Sequence, residues 1–174
     1  MVPSENMVQN KLDGKLERSK DLVEIFEVVK EAVRASNGSS RGGLMLGLAD
    51  LGGSEGHWIG GLYPVASNVI VLNRRPLGMV RVRKPELYKP YVFHILLHEY
   101  IHSLGTIDET ETRRIAYQIS KENFGEGHLC TVIAKDISGV LPYVTYPGQM
   151  PMPEGSSFEL VKGFDRSSTD HYIQ

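Results

Sequence analysis

The stretch YVFHILLHEYIHSLGTIDETE, residues 91–111, sets histidines at 94, 98 and 102 within the most apolar run of the chain and follows them with a glycine and several acids. On a helix each residue advances about 100°, so the three imidazoles form one stripe, with Glu99 close beside it. Val92, Ile95, Leu96, Leu97, Ile101 and Leu104 cover the remaining surface. The segment is therefore expected to be a buried helix with a single polar seam. Buried imidazoles need partners, and a divalent metal partners two of them at once. One turn apart, His98 and His102 can each direct a ring nitrogen at a point roughly 2.0–2.1 Å away. Glu99, next to the first of them, can reach a metal-bound water without being a ligand. In that arrangement zinc lowers the pKa of its water toward about 7, and the carboxylate takes the proton as the water attacks a polarised carbonyl. The glutamate makes this a hydrolytic pattern rather than a metal site alone. His94, a turn earlier, is expected to be a hydrogen-bonded core histidine that supports the others.

A catalytic zinc usually takes three protein ligands and keeps one open position. Gly105 can adopt the left-handed conformation that ends a helix and turns the chain back toward the metal. The first carboxylates to return are Asp108 and Glu109. Asp108 has a second use as the N-cap of the next helix, with Glu111 completing a capping box. Glu111 itself and His128, in FGEGHLC, are the other candidates.

HEYIHSLGTID matches HExxHxxGxxD and so resembles the metzincin zinc peptidases, in the snapalysin-like form that has Asp where the third His is commoner. The resemblance implies zinc ligands at His98, His102 and Asp108, Glu99 as general base, Gly105 as the turn, and a methionine turn for which Met150 or Met152 is available. It also implies a core in which a backing helix and a sheet precede the active-site helix. A second resemblance is to the small gluzincins, whose third ligand is a glutamate on the following helix, where Glu109 and Glu111 stand.

The elements that must position these residues are legible in outline. KLERSKDLVEIFEVVKEAVRA has one apolar face and predicts a helix from about Leu12 to Ala35. GLMLGLADL (43–51), HWIGGLY (57–63) and SNVIVLN (67–73) predict strands, the last most strongly because it is largely β-branched. The resemblance to zincins, in which a strand above the cleft pairs with an extended substrate, implies that role for SNVIVLN, which is equally readable as a central strand, with Arg74 and Arg75 at its end facing a substrate carboxylate or solvent. Pro76, Pro85 and Pro90 predict an irregular stretch, with RVRK as a solvated loop. A helix to about Leu104, another over 109–123, and a short helix or strand around LCTVIAKDI follow. The expectation is a single α+β domain over 1–174, with a backing helix, a mainly antiparallel sheet of about three or more strands, two helices and an irregular tail over 141–174. The resemblance to zincins, some of which use a phenol to stabilise the oxyanion, makes Tyr143 and Tyr146 in LPYVTYP candidates for that role, with simple packing beside the prolines as the alternative.

A formal charge of −2, from 19 basic against 21 acidic residues, gives no general attraction to nucleic acid or an anionic membrane. One cysteine, Cys130, excludes an intrachain disulfide and a Cys-rich zinc site. No run approaches a membrane span and the first residues lack a signal-peptide core, so a cytoplasmic protein is expected. The expected activity is a zinc-dependent metallopeptidase, with one Zn2+ per chain and a peptide or protein substrate. The contrasting reading is a non-catalytic or latent zinc protein whose tail crosses the cleft.

Overall fold

The computed structural model describes residues 4–54, 56–146 and 158–165. The expected first helix is two, α1 (Glu5–Arg18) and α2 (Leu22–Asn37). Ser19 is extended, and the Asp21 carboxylate accepts the Glu24 backbone N–H, so a cap restarts the helix where apolar spacing alone would continue it. α2 buries Ile25, Phe26, Val28, Val29, Ala32 and Val33 and ends at Gly38, which is left-handed.

The main sheet has the order β4-β5-β1-β7, with β1 (Met45–Ala49), β4 (Gly61–Leu62), β5 (Val69–Asn73) and β7 (Glu159–Leu160). β1 and β5 run parallel at its centre, Leu46 opposite Ile70, and both outer pairs are antiparallel. A smaller sheet joins β2 (Gly53–Ser54), β3 (His57–Ile59) and β6 (Val144–Thr145). With its helices this makes an α+β domain. β5 is paired on both sides, so the free edge of the main sheet near the HEYIH helix belongs to β4 rather than to SNVIVLN.

The proline-punctuated stretch is helical. α3 (Arg74–Arg83) follows β5 directly, a 3-10 turn covers Pro85–Leu87, and α4 (Tyr88–Ser103) carries the histidines. Pro76 and Pro90 each sit in a first turn, where the missing N–H has no intrahelical partner to lose, and Pro85 opens the 3-10 turn. RVRK is thus the exposed end of α3, not a loop. Arg74 pairs with Glu159 at 3.0 Å and Arg75 lies over the Trp58 ring. Buried Asn73 starts α3 with its side-chain oxygen, which accepts the Arg75 and Leu51 backbone N–H groups, while its side-chain NH2 donates to the Ile59 carbonyl.

α4 is buried almost throughout, against α2, β4 and β5, and against α5 (Glu109–Phe124) and α6 (Leu129–Lys135). Its approach to the sheet depends on Gly61, where a Cβ would stand 2.8 Å from the Val71 carbonyl oxygen and 2.9 Å from Ile95. α7 (Ile137–Val140) leads into β6. Of the tail, residues 158–165 form the β7 edge and its anchor, where buried Asp165 meets Lys30 at 2.6 Å and accepts the Leu44 N–H. Met150 and Met152 lie outside the described residues. Among the described residues no helix is long and apolar enough to cross a membrane.

Candidate metal centre

His98 and His102 reach the centre from adjacent turns of α4, and the third group comes from the first residue of α5. The Nε2 atoms of His98 and His102 lie 3.1 and 2.9 Å from the two carboxylate oxygens of Glu109. One ligand atom from each residue falls within 4.8 Å of the others, the only such group of three or more His, Cys, Asp or Glu among the described residues.

The connection between the helices explains why Glu109 arrives there. α4 ends with the Leu104 and Gly105 N–H groups on carbonyls of its last turn, and Gly105 has φ +115, accessible to glycine and strained for other residues. The chain then folds under His102. The Thr106 carbonyl lies 2.7 Å from His102 Nδ1, and the buried Thr112 hydroxyl donates to both the Thr106 and Asp108 carbonyls. Only Nδ1–H can donate to that carbonyl, which leaves Nε2 of the neutral ring as the lone pair facing Glu109.

Asp108 is turned the other way. Its carboxylate accepts the Glu111 N–H at 2.8 Å as the N-cap of α5. Glu111 holds Arg114 through two hydrogen bonds, so the capping box is half formed. His128 is at the far end of α5, where Nε2 meets Asp13 at 2.7 Å and Nδ1 accepts the Cys130 N–H as the cap of α6.

Glu99 is 2% exposed. It receives the Tyr63 backbone N–H, while its Oε2 has no hydrogen-bond partner among the described residues. Burial pushes its pKa up to about 8, partly opposed by the nearby charge of His102. Tyr146, just past β6, closes another side. Its ring stacks on His98 at 4.4 Å between centroids, and its hydroxyl lies 2.7 Å from His94 Nε2. Burial pushes the His94 pKa down to about 3, so that ring stays neutral and supports Tyr146 rather than joining the centre. Tyr143 lies apart, under the Arg83 guanidinium.

The protonation state of the centre follows from the same contacts. Burial pulls His98 below its ordinary value. For His102 burial acts in that direction too, but the Glu109 hydrogen bond and the Glu99 charge outweigh it and raise the pKa. Burial pushes Glu109 up, yet the two imidazoles hold it well below the usual carboxylate range. Without metal, His102 therefore keeps its proton to a higher pH than an ordinary imidazole, while its neighbour His98 loses its own at a lower one and Glu109 stays ionised further into acid. Two imidazole nitrogens and one carboxylate oxygen are a donor set suited to zinc, and the convergence of their lone pairs fits that ion. A dication takes the place of the His102 proton, so zinc affinity should fall by at least about tenfold per pH unit below the raised His102 pKa. Competition against a chromophoric chelator from pH 8 to pH 5 measures this; a flat profile would show that His102 is not displaced.

Sequence reasoning favoured Asp108 as the third ligand and kept Glu109 only as an alternative, whereas the group that meets the two imidazoles is Glu109. Tyr146 was visible only as one of two tyrosines beside prolines. Scans against family models and searches of curated proteins and of solved structures find no match for this chain.

Proposed function

We propose that this chain is a zinc-dependent peptidase, a small zincin-like hydrolase whose metal is held by His98, His102 and Glu109. The observation that carries the reading is the buried, partly unpartnered carboxylate of Glu99 beside three converging ligand atoms. A purely structural site needs the ligands and no such group. Zinc bound there supplies a Lewis acid for a substrate carbonyl and makes a water more acidic.

The chain's own residues supply the rest. Glu99, held by the Tyr63 N–H, takes a proton from the attacking water and returns it to the leaving amine. Tyr146, whose phenol burial keeps protonated, donates toward the developing oxyanion. His94 fixes the direction of that phenol. Residues 158–165 lie at the β7 edge, two strands beyond β5, which favours an open centre over one covered by that part of the tail.

Elemental analysis tests the metal. The purified protein should carry about one zinc per chain, and the His98→Ala, His102→Ala double variant almost none, as expected when two of three ligands are lost. Equal zinc in both would place the metal elsewhere and remove the basis for the activity.

A further inference from the structure

Next to the metal centre, α5, the α6–α7 turn and β6 enclose an open cleft of ≈ 530 Å³. That is the size of a site for a small ligand or the last one or two residues of a chain, not for a long segment. One wall is β6, whose backbone pairs with β3 on the other side and has no strand partner on the cleft side among the described residues. An extended backbone can lie along such an edge. Tyr117, Ala134 and Ile137 provide apolar lining for a side chain.

The charges at this cleft are mostly of one sign. Arg113, Arg114 and Lys135 line it, and Asp136 is the only acid among the lining residues. The Asp136 carboxylate is already used, accepting the Gly139 N–H and the Ser138 hydroxyl. Arg114 is occupied by Glu111. Arg113 has no carboxylate within 4.0 Å among the described residues. Its guanidinium lies 4.3 Å from the centroid of Tyr146, the same ring that stacks on His98. Tyr146 thus links a cation able to hold an anion through two hydrogen bonds to a metal-ligand candidate.

We propose that this cleft takes the free C-terminal carboxylate of a peptide, with Arg113 as the residue that receives it. The inference rests on the peptidase reading and narrows it to cleavage close to a C-terminus. A peptide following β6 past Tyr146 brings its last carboxylate to Arg113 while a peptide bond near its end lies beside the metal ligands. The small volume favours a chain end over an acidic side chain in mid-segment.

The test uses Glu99→Gln protein loaded with zinc, so that binding is read without turnover. Fluorescein-labelled degenerate hexapeptides ending in a free carboxylate are compared by anisotropy with the same pool amidated at its C-terminus, and with an amidated pool ending in glutamate. The free acid should bind at least about tenfold tighter than either amide, as a charge-assisted bidentate contact implies. Arg113→Gln should erase that preference with zinc content and melting temperature unchanged. Equal binding of acid and amide, no binding of either, or a preference that survives Arg113→Gln overturns the proposal. If the amidated glutamate pool matches the free acid, a side-chain carboxylate is recognised and the terminal assignment fails. Cleavage by wild type keeps the two readings separable. Equal cleavage of acid and amide removes the carboxylate site and leaves the peptidase, whereas an Arg113-dependent preference without any cleavage removes the peptidase and leaves the site.

Discussion

Replacing Glu99 with glutamine should leave zinc content and fold intact and lower peptide hydrolysis by about 10²–10⁴-fold, the range a general base contributes. Glutamine keeps the shape and can still accept the Tyr63 N–H, but it cannot take a proton. A second consequence separates this residue from an ordinary buried acid. In the metal-free protein burial raises the Glu99 pKa from 4.5 to about 8. The group's contribution to stability is therefore fully present below about pH 4.5 and is lost as pH rises through about 8, because the unfolded chain ionises there while the folded one resists. Glu99→Gln should accordingly match wild type in stability near pH 4 and exceed it at pH 8, by a margin on the order of a few kcal/mol. Zinc reverses the sign for wild type, since a nearby dication favours the carboxylate and prepares it as a base. Chemical denaturation with and without zinc at the two pH values, beside peptide turnover, covers both halves. Turnover equal to wild type would refute the base assignment whatever the substrate. No turnover by zinc-loaded wild type on broad peptide and protein mixtures would favour the non-catalytic reading instead.

What the sequence discloses follows the range of the forces involved. Helical periodicity acts over a few residues, so the stripe of His94, His98 and His102 and the burial of their helix can be read from spacing alone. β5 is equally local, a β-branched run between turn residues. Its central place in the sheet is not, because which strand takes the edge depends on β4 and β7 pairing across the chain. The prolines misled for a specific reason. The same residue breaks a helix in its interior and is tolerated in its first turn, and only the cap at Asn73 shows which applies to Pro76. The break at Ser19 was hidden because apolar residues keep helical spacing on both sides of it. Tyr146 is brought to His98 by β6, a two-residue strand whose pairing with β3 no local pattern announces.

The third ligand depends on a turn rather than on spacing, and two substitutions one residue apart resolve it. Asp108 and Glu109 are both carboxylates that return after Gly105, but once α5 begins at Glu109 the preceding position is its cap, and a cap must direct its oxygen at its own helix. Asp108 does so toward Glu111, whereas Glu109 has its carboxylate shared between His98 and His102. Glu109→Ala should thus weaken zinc binding by more than about 100-fold, beyond the 10–100-fold typical of losing a supporting partner of a ligand. Asp108→Ala should cost about 1 kcal/mol of stability through the lost cap, with less than about a tenfold change in zinc affinity, and Asp108→Asn, which still caps, should change neither. His128→Ala should leave zinc affinity at the wild-type value, because its partners are Asp13 and the start of α6. Zinc titration and thermal melts on the four variants read both quantities. If Asp108→Asn weakens zinc while Glu109→Ala does not, α5 begins later in the zinc-bound protein, its cap gives way to the metal, and the ligand set becomes the His-His-Asp of the snapalysin-like pattern.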